Sequence, residues 1–209
     1  FAKYLVDHAL VPADQDLVRI ETVLGVQEVT ATRDYEGRLY LATVNMGAPV
    51  LESSAIPTTF TGDPVLSQPL QTALGVAEVT CVSMGNPHAV LVVDDAEEAP
   101  VWELGALIEL DEHFPRRTNV EFAQVIDRES IRLRVWERGV GETLACGTGA
   151  CATVVALSLL GLTERQATVE LPGGELAIHW TDEGPVMMTG PATEVFTGTV
   201  HIDEDDDVE

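Results

Sequence analysis

Lysine is almost missing from this chain. Lys3 is the single one, arginine supplies every other positive charge, and 11 basic residues face 35 acidic ones for a net charge of −24. Nucleic acids and anionic membrane surfaces are held by basic patches that displace counterions, so this balance excludes both as partners. A surface this acidic repels itself until salt screens it. The expectation is a salt-adapted, halophilic cytoplasm, and the plainer alternative is a protein that is merely acidic. Cysteine is scarce and odd in number: Cys81, Cys146 and Cys151 do not make a disulfide framework and read as reduced, cytoplasmic thiols. Long apolar runs are missing too. The longest, Ala150–Leu162, is broken by Thr153 and Ser158 and falls short of the ~18–20 residues of a membrane span. His8, His113, His179 and His201 lack metal-ligand spacing, so no metal is expected. No secretory leader is read. The chain opens on Phe1 rather than Met, and the expectation is a piece whose true start lies elsewhere.

What is present describes a globular protein: 45% hydrophobic residues, a mildly positive mean hydropathy, and length enough for one large domain or two small ones. Phe1–Val11 carries apolar residues at helical spacing, ended by Pro12. Strand-like runs follow at Leu17–Ile20, Glu28–Thr32 and Leu39–Val44. Pro49 to Pro69 is punctuated by proline, glycine, serine and threonine, a crossing between lobes. Further strands are expected at Ala77–Met84, Ala89–Val93, Val120–Ile126, Ser130–Glu137, Ala167–Leu171, Glu175–Trp180, Val186–Thr189 and Glu194–Ile202, with helices at Trp102–Leu110 and Gly147–Leu160. Many short strands and three helices suggest a sheet wrapped around a central helix, twice. Asp203 to Glu209 reads as a solvated, disordered acidic tail.

The most informative segment runs from Glu137 to Ala152. A strand ends at Glu137, a glycine-rich turn follows, and Cys146 sits at the mouth of an apolar helix. Helix N-terminal N–H groups lack intrahelical partners and lie at the positive end of the dipole. That place favours a bound anion and is expected to lower a thiol pKa from its usual ~8.5. Gly147 and Gly149 leave the backbone bare for a carboxylate to approach. The competing reading makes Cys146 a small buried hydrophobe; the glycine framing and the Glu137-Arg138 pair favour the chemical one. Cys81 and Cys151 are left as core residues.

The run Glu137–Ala152 resembles the second active-site motif of the diaminopimelate epimerase family. Ser83-Met84-Gly85-Asn86-Pro87-His88-Ala89-Val90 and Arg117-Thr118-Asn119-Val120-Glu121-Phe122 resemble two further signatures of that family, in the family's order. The resemblance implies an α/β (α+β) fold of two similar lobes, each a curled, mostly antiparallel sheet around a central helix. It implies a two-cysteine mechanism without cofactor that interconverts L,L- and meso-diaminopimelate, towards lysine and, where present, peptidoglycan. By the same resemblance Cys146 would be one of the two bases, and the neighbouring residues would take the following roles. Gly147 and Thr148 offer N–H groups to the α-carboxylate, Arg138 pairs with the distal carboxylate, Asn86 and Asn119 hold the distal groups, and Glu137 and His88 stand beside the thiols, His88 as an auxiliary. The family's first cysteine motif is absent, so the piece is expected to be inactive alone.

Proline racemases share the architecture, but Glu-Arg-Gly-Val-Gly-Glu-Thr before Cys146 favours the diaminopimelate branch, and Cys146 itself disfavours the carboxylate-based isomerases. A non-catalytic acidic binding domain is the alternative from another class. The expected organisation is residues 1–46 as the remainder of the first lobe, 47–190 as the second, 191–202 as a strand returning to the first, and 203–209 as the tail. Whether the chain pairs as a homodimer is left open.

Overall fold

A computed structural model describes residues 1–22 and 25–201. The first part comprises helix α1 (Ala2–Asp7) and strands β1 (Leu17–Thr22), β2 (Gly25–Arg33) and β3 (Leu39–Asn45). Next come β4 (Gln68–Thr72), β5 (Gly75–Ser83), β6 (Pro87–Val92), helix α2 (Val101–Glu109), β7 (Asn119–Asp127), β8 (Ser130–Glu137) and β9 (Gly141–Thr143). Helix α3 (Gly147–Leu159) and strands β10 (Gln166–Leu171), β11 (Gly174–Trp180) and β12 (Val186–Pro191) complete it. The fold is mixed α+β, with one large sheet and few helices.

The sheet runs in the order β1-β2-β3-β12-β11-β10-β8-β7-β6-β5-β4, with β9 paired to β8. Most pairs are antiparallel; β6 with β7 and β8 with β10 are parallel. Period-2 alternation sends neighbouring side chains to opposite faces. Val120 and Phe122 therefore join a core beneath α2 with Ile108 and Phe114, while Ala123 and Val135 face α3. Every residue of α3 from Gly149 to Leu157 is buried, as expected of a helix apolar on all sides and enclosed by strands. A smaller core gathers Ala2 and Val6 of α1 against Val18, Val29, Ala31 and Leu39.

Three expectations change. The first helix stops at Asp7 instead of running to Val11, and Ala9 turns to a φ of +53°. Residues 194–201 form no strand; the strand that joins β1–β3 to the rest of the sheet is β12, through Met188↔Val44 and Thr189↔Thr43. The strand β4 begins within the last two residues of what read as a crossing; it is an edge strand, where Pro69 is tolerated because one side of the ladder is open. The acidic tail 203–209 lies outside the described residues. None of the described helices is long and apolar enough to cross a membrane.

Candidate active site

Strands β6 and β7 are parallel with His88 opposite Asn119, and β8 runs back beside β7. The start of β6, the start of β7 and the end of β8 thus meet at one end of the sheet. That edge gathers Asn86, His88, Asn119, Glu137 and Arg138 from separate stretches of sequence. The hairpin through β9 leads the chain to Cys146, the N-cap of α3 in extended conformation.

Cys146 is 8% exposed. Its Sγ lies 3.5 Å from Thr148 Oγ1, and Asn86 Nδ2 donates to the same hydroxyl at 3.3 Å. Asn86 Oδ1 is 3.0 Å from His88 Nε2, and His88 Nδ1 is 2.7 Å from Glu121 Oε1. His88 and Glu121 are both fully buried. Gly149 completes the contact: a Cβ there would sit 2.9 Å from Glu121 Oε1 and 3.3 Å from Cys146 Sγ. Glycine is required because the carboxyl and the thiol share the space a methyl would take. A Cβ on Gly147 would press on Met188 Sδ at 3.0 Å, so β12 backs the helix mouth.

A second group surrounds the turn after β8. Asn119 Oδ1 accepts the Arg138 N–H at 2.9 Å, and Asn119 Nδ2 donates to Pro87 O at 3.1 Å. The exposed Arg138 guanidinium donates to Arg116 O at 2.9 Å. Glu137 accepts from the Thr143 hydroxyl at 2.5 Å, across β8 and β9. Gly139 takes a φ of +77°, a left-handed turn that suits glycine.

The electrostatics overturn one expectation. Burial pushes the Cys146 thiol up from its ordinary value, against the lowering supplied by the Thr148 hydroxyl and the Gly149 N–H, and Glu137 adds a smaller rise. The helix N-terminus does favour the thiolate, but desolvation outweighs it. Cys146 therefore rests as a thiol. Cys81 and Cys151 are pushed up to about 12 by burial, in keeping with a core role. Burial also raises Glu121, against the pull of His88. Among the described residues, no group of three or more His, Cys, Asp or Glu side chains is arranged to hold a metal ion.

Sequence reasoning passed over two residues. Glu121 was visible as a carboxylate in the middle of a strand whose first five residues are all buried, a position where an unpaired charge is costly. Glu109 closes a helix and left no signal; its role depends on which loop the helix end meets.

A family model described as diaminopimelate epimerase matches residues 80–195. A protein named diaminopimelate epimerase from Pelotomaculum thermopropionicum is 51% identical over 197 residues, covering 94% of this chain and 69% of that one. One of the same name from Moorella thermoacetica is 47% identical over 204 residues, covering 97% and 72%. Among solved structures, a probable proline racemase from Agrobacterium radiobacter K84 superposes with a TM-score of 0.71 at 17% identity, over 98% of this chain and 66% of that one. That likeness shows a shared fold.

Proposed function

We propose, since this chain belongs to the diaminopimelate epimerase family, that it carries one half of a cofactor-independent epimerase site that inverts the α-carbon of diaminopimelate, in a cytoplasmic step towards lysine. The observation that carries this reading is the placing of Cys146, a thiol capping the mouth of a buried helix beside a polar cluster.

Inversion needs an acid and a base on opposite faces of the α-carbon. Cys146, resting as a thiol, serves as the acid in one direction: it gives its proton to the α-carbanion and is left as thiolate. In the reverse direction the thiolate takes the α-proton, the C–H bond breaking as the S–H bond forms. Cys81 and Cys151 are both fully buried, so neither is placed to act as the opposing group. The α-proton beside a carboxylate is far less acidic than a thiol, so stabilising the carbanion is the main task. Preorganised donors aimed at the developing charge are the largest contribution of this kind. The Gly147 and Thr148 N–H groups, free of intrahelical partners by their place in the first turn, fill that role at the α-carboxylate.

The distal end of the substrate sets selectivity. Arg138 offers a planar fork suited to a carboxylate. Asn119, which already braces the Arg138 turn, keeps one amide hydrogen for a ligand, as does Asn86. Glu137 and His88 tune the thiol environment rather than touch the α-carbon.

The test is α-proton exchange into deuterated water, followed by NMR at high salt, on the full-length gene product offered L,L-diaminopimelate or L-proline, beside Cys146→Ala. Exchange and epimerisation with diaminopimelate alone, lost in the variant, supports the reading. Exchange with proline instead moves the chain to racemase chemistry, and exchange with neither overturns the assignment.

A further inference from the structure

Glu121 is the most heavily buried carboxyl of the site, at 0% exposure, and the roles above leave it unused. Its Oε1 meets His88 Nδ1 at 2.7 Å, while Oε2 is buried without a hydrogen-bond partner among the described residues. An ionised carboxylate offers acceptor sites on both oxygens and keeps its charge in a core only when they are satisfied. A protonated carboxyl leaves only a carbonyl-like oxygen bare, a far smaller loss of solvation. The groups facing this position are His88 from β6, Cys81 from β5, Glu137 from the end of β8 and Cys146 at the mouth of α3. Their net effect together with burial also favours the neutral acid.

The direction of the hydrogen bonds points the same way. Asn86 donates through Nδ2 to Thr148 and presents Oδ1 to His88, so His88 Nε2 must carry a proton. In the neutral imidazole Nδ1 is then left to accept; the ionised alternative, a carboxylate facing an imidazolium, would leave Oε2 buried and unpartnered, so the donor at 2.7 Å is assigned to a Glu121 hydroxyl. Because Thr148 Oγ1 accepts from Asn86, its own hydrogen is free to turn to Cys146 Sγ at 3.5 Å. Every donor in the chain points from the core towards the sulfur.

We propose that Glu121 is a positioning residue for Cys146: a buried neutral carboxylic acid heading a one-way chain of hydrogen bonds, from Glu121 through His88, Asn86 and Thr148 to Cys146, that aims a hydroxyl donor at the sulfur. No proton travels along the chain, since the Asn86 amide interrupts it. The chain aligns dipoles, which reinforce one another in a low-dielectric interior, and so favours the thiolate once the proton has left for substrate. Gly149 is part of the device, because its missing side chain lets the carboxyl and thiol lie against one helix turn. The inference rests on the proposed acid/base role of Cys146, but its readouts need no substrate turnover, so the two can fail separately.

The experiment pairs infrared spectroscopy at neutral pH with the pH profile of Cys146 alkylation by iodoacetamide, taking Cys146→Ala as background. The wild-type chain is expected to show the C=O stretch of one protonated carboxyl, absent in Glu121→Gln. Glu121→Gln, whose amide N–H can replace the acid O–H, is expected to leave the alkylation profile unchanged. Glu121→Met removes the head of the chain and Asn86→Ala breaks its middle; both are expected to move the profile to higher pH and slow labelling severalfold at a fixed pH. A wild-type spectrum without a protonated carboxyl overturns the proposal, as does a Glu121→Gln profile displaced to lower pH, which would mark an ionised carboxylate. An unchanged Asn86→Ala profile overturns it as well. Should Glu121→Met not fold, the wild-type spectrum and the half-exposed Asn86 still decide.

Discussion

Glu109 accepts the Gly139 N–H at 3.0 Å through Oε1, and its Oε2 accepts the Trp136 indole N–H at 2.8 Å. One side chain at the end of α2, 5% exposed, therefore grips the residues on either side of Glu137 and Arg138. Arg117 adds a longer contact at 3.4 Å. The clamp holds the turn that presents Arg138, although Glu109 touches no other member of the site. Glu109→Ala is expected to cost about 2 kcal/mol, from the loss of two part-buried hydrogen bonds to a carboxylate, and to raise KM for diaminopimelate more than it lowers kcat. Urea unfolding measures the first and steady-state kinetics the second. Equal losses of kcat and kcat/KM would remove the positioning role.

Gly105 in α2 packs against Trp136 so tightly that an added Cβ would lie 2.7 Å from Trp136 Cβ and Cγ. Glycine to alanine inside a helix ordinarily stabilises by ~1 kcal/mol. Here Gly105→Ala is expected to destabilise by about 1–3 kcal/mol through overpacking, with a lower thermal midpoint and an altered near-UV signal from Trp136. A gain in stability would show that α2 can shift outward without cost.

Alkaline pH should weaken the fold through its buried thiols. Cys81 and Cys151 are pushed up to about 12, whereas an unfolded thiol titrates near ~8.5. A raised folded value means that the unfolded chain loses its protons first. Stability is therefore full below the unfolded value and falls as pH climbs towards the folded one. Denaturation midpoints are expected to drop steadily above about pH 9, and Cys81→Ala or Cys151→Ala to flatten the slope. An equally steep slope in both variants would assign the effect elsewhere.

The net charge of −24 predicts a salt response. Several ion pairs, such as Arg19–Glu28 and Arg128–Glu164, are largely exposed and contribute little, so relief of acidic repulsion should dominate. Unfolding midpoints are expected to rise with potassium chloride, and a flat response would remove the salt-adaptation reading.

Most of the elements were legible because their periodicity is strong. Ser130–Glu137 alternates without interruption, and the apolar run from Gly147 could only be a buried helix. Cys146 stood out through its glycine framing, whereas Asn86, Asn119 and Arg138 were singled out by their place in motifs that resemble the family's. The first helix was over-extended because its apolar spacing continues past Asp7, where the Lys3–Asp7 pair at 2.8 Å and the Asp7 acceptor for Leu39 N–H tie its end to β3. No local pattern encodes that contact.

Sequence by itself determined the family, the strand-rich architecture and the presence of a cysteine at a helix mouth, since each depends on neighbours along the chain. Only the tertiary structure decided the state of that cysteine. The dipole of α3 argues for a thiolate, but enclosure by strands from other parts of the chain reverses the balance. Desolvation and charge depend on what surrounds an atom in space, and strands β6, β7 and β8 bring those surroundings together from residues 86 to 138.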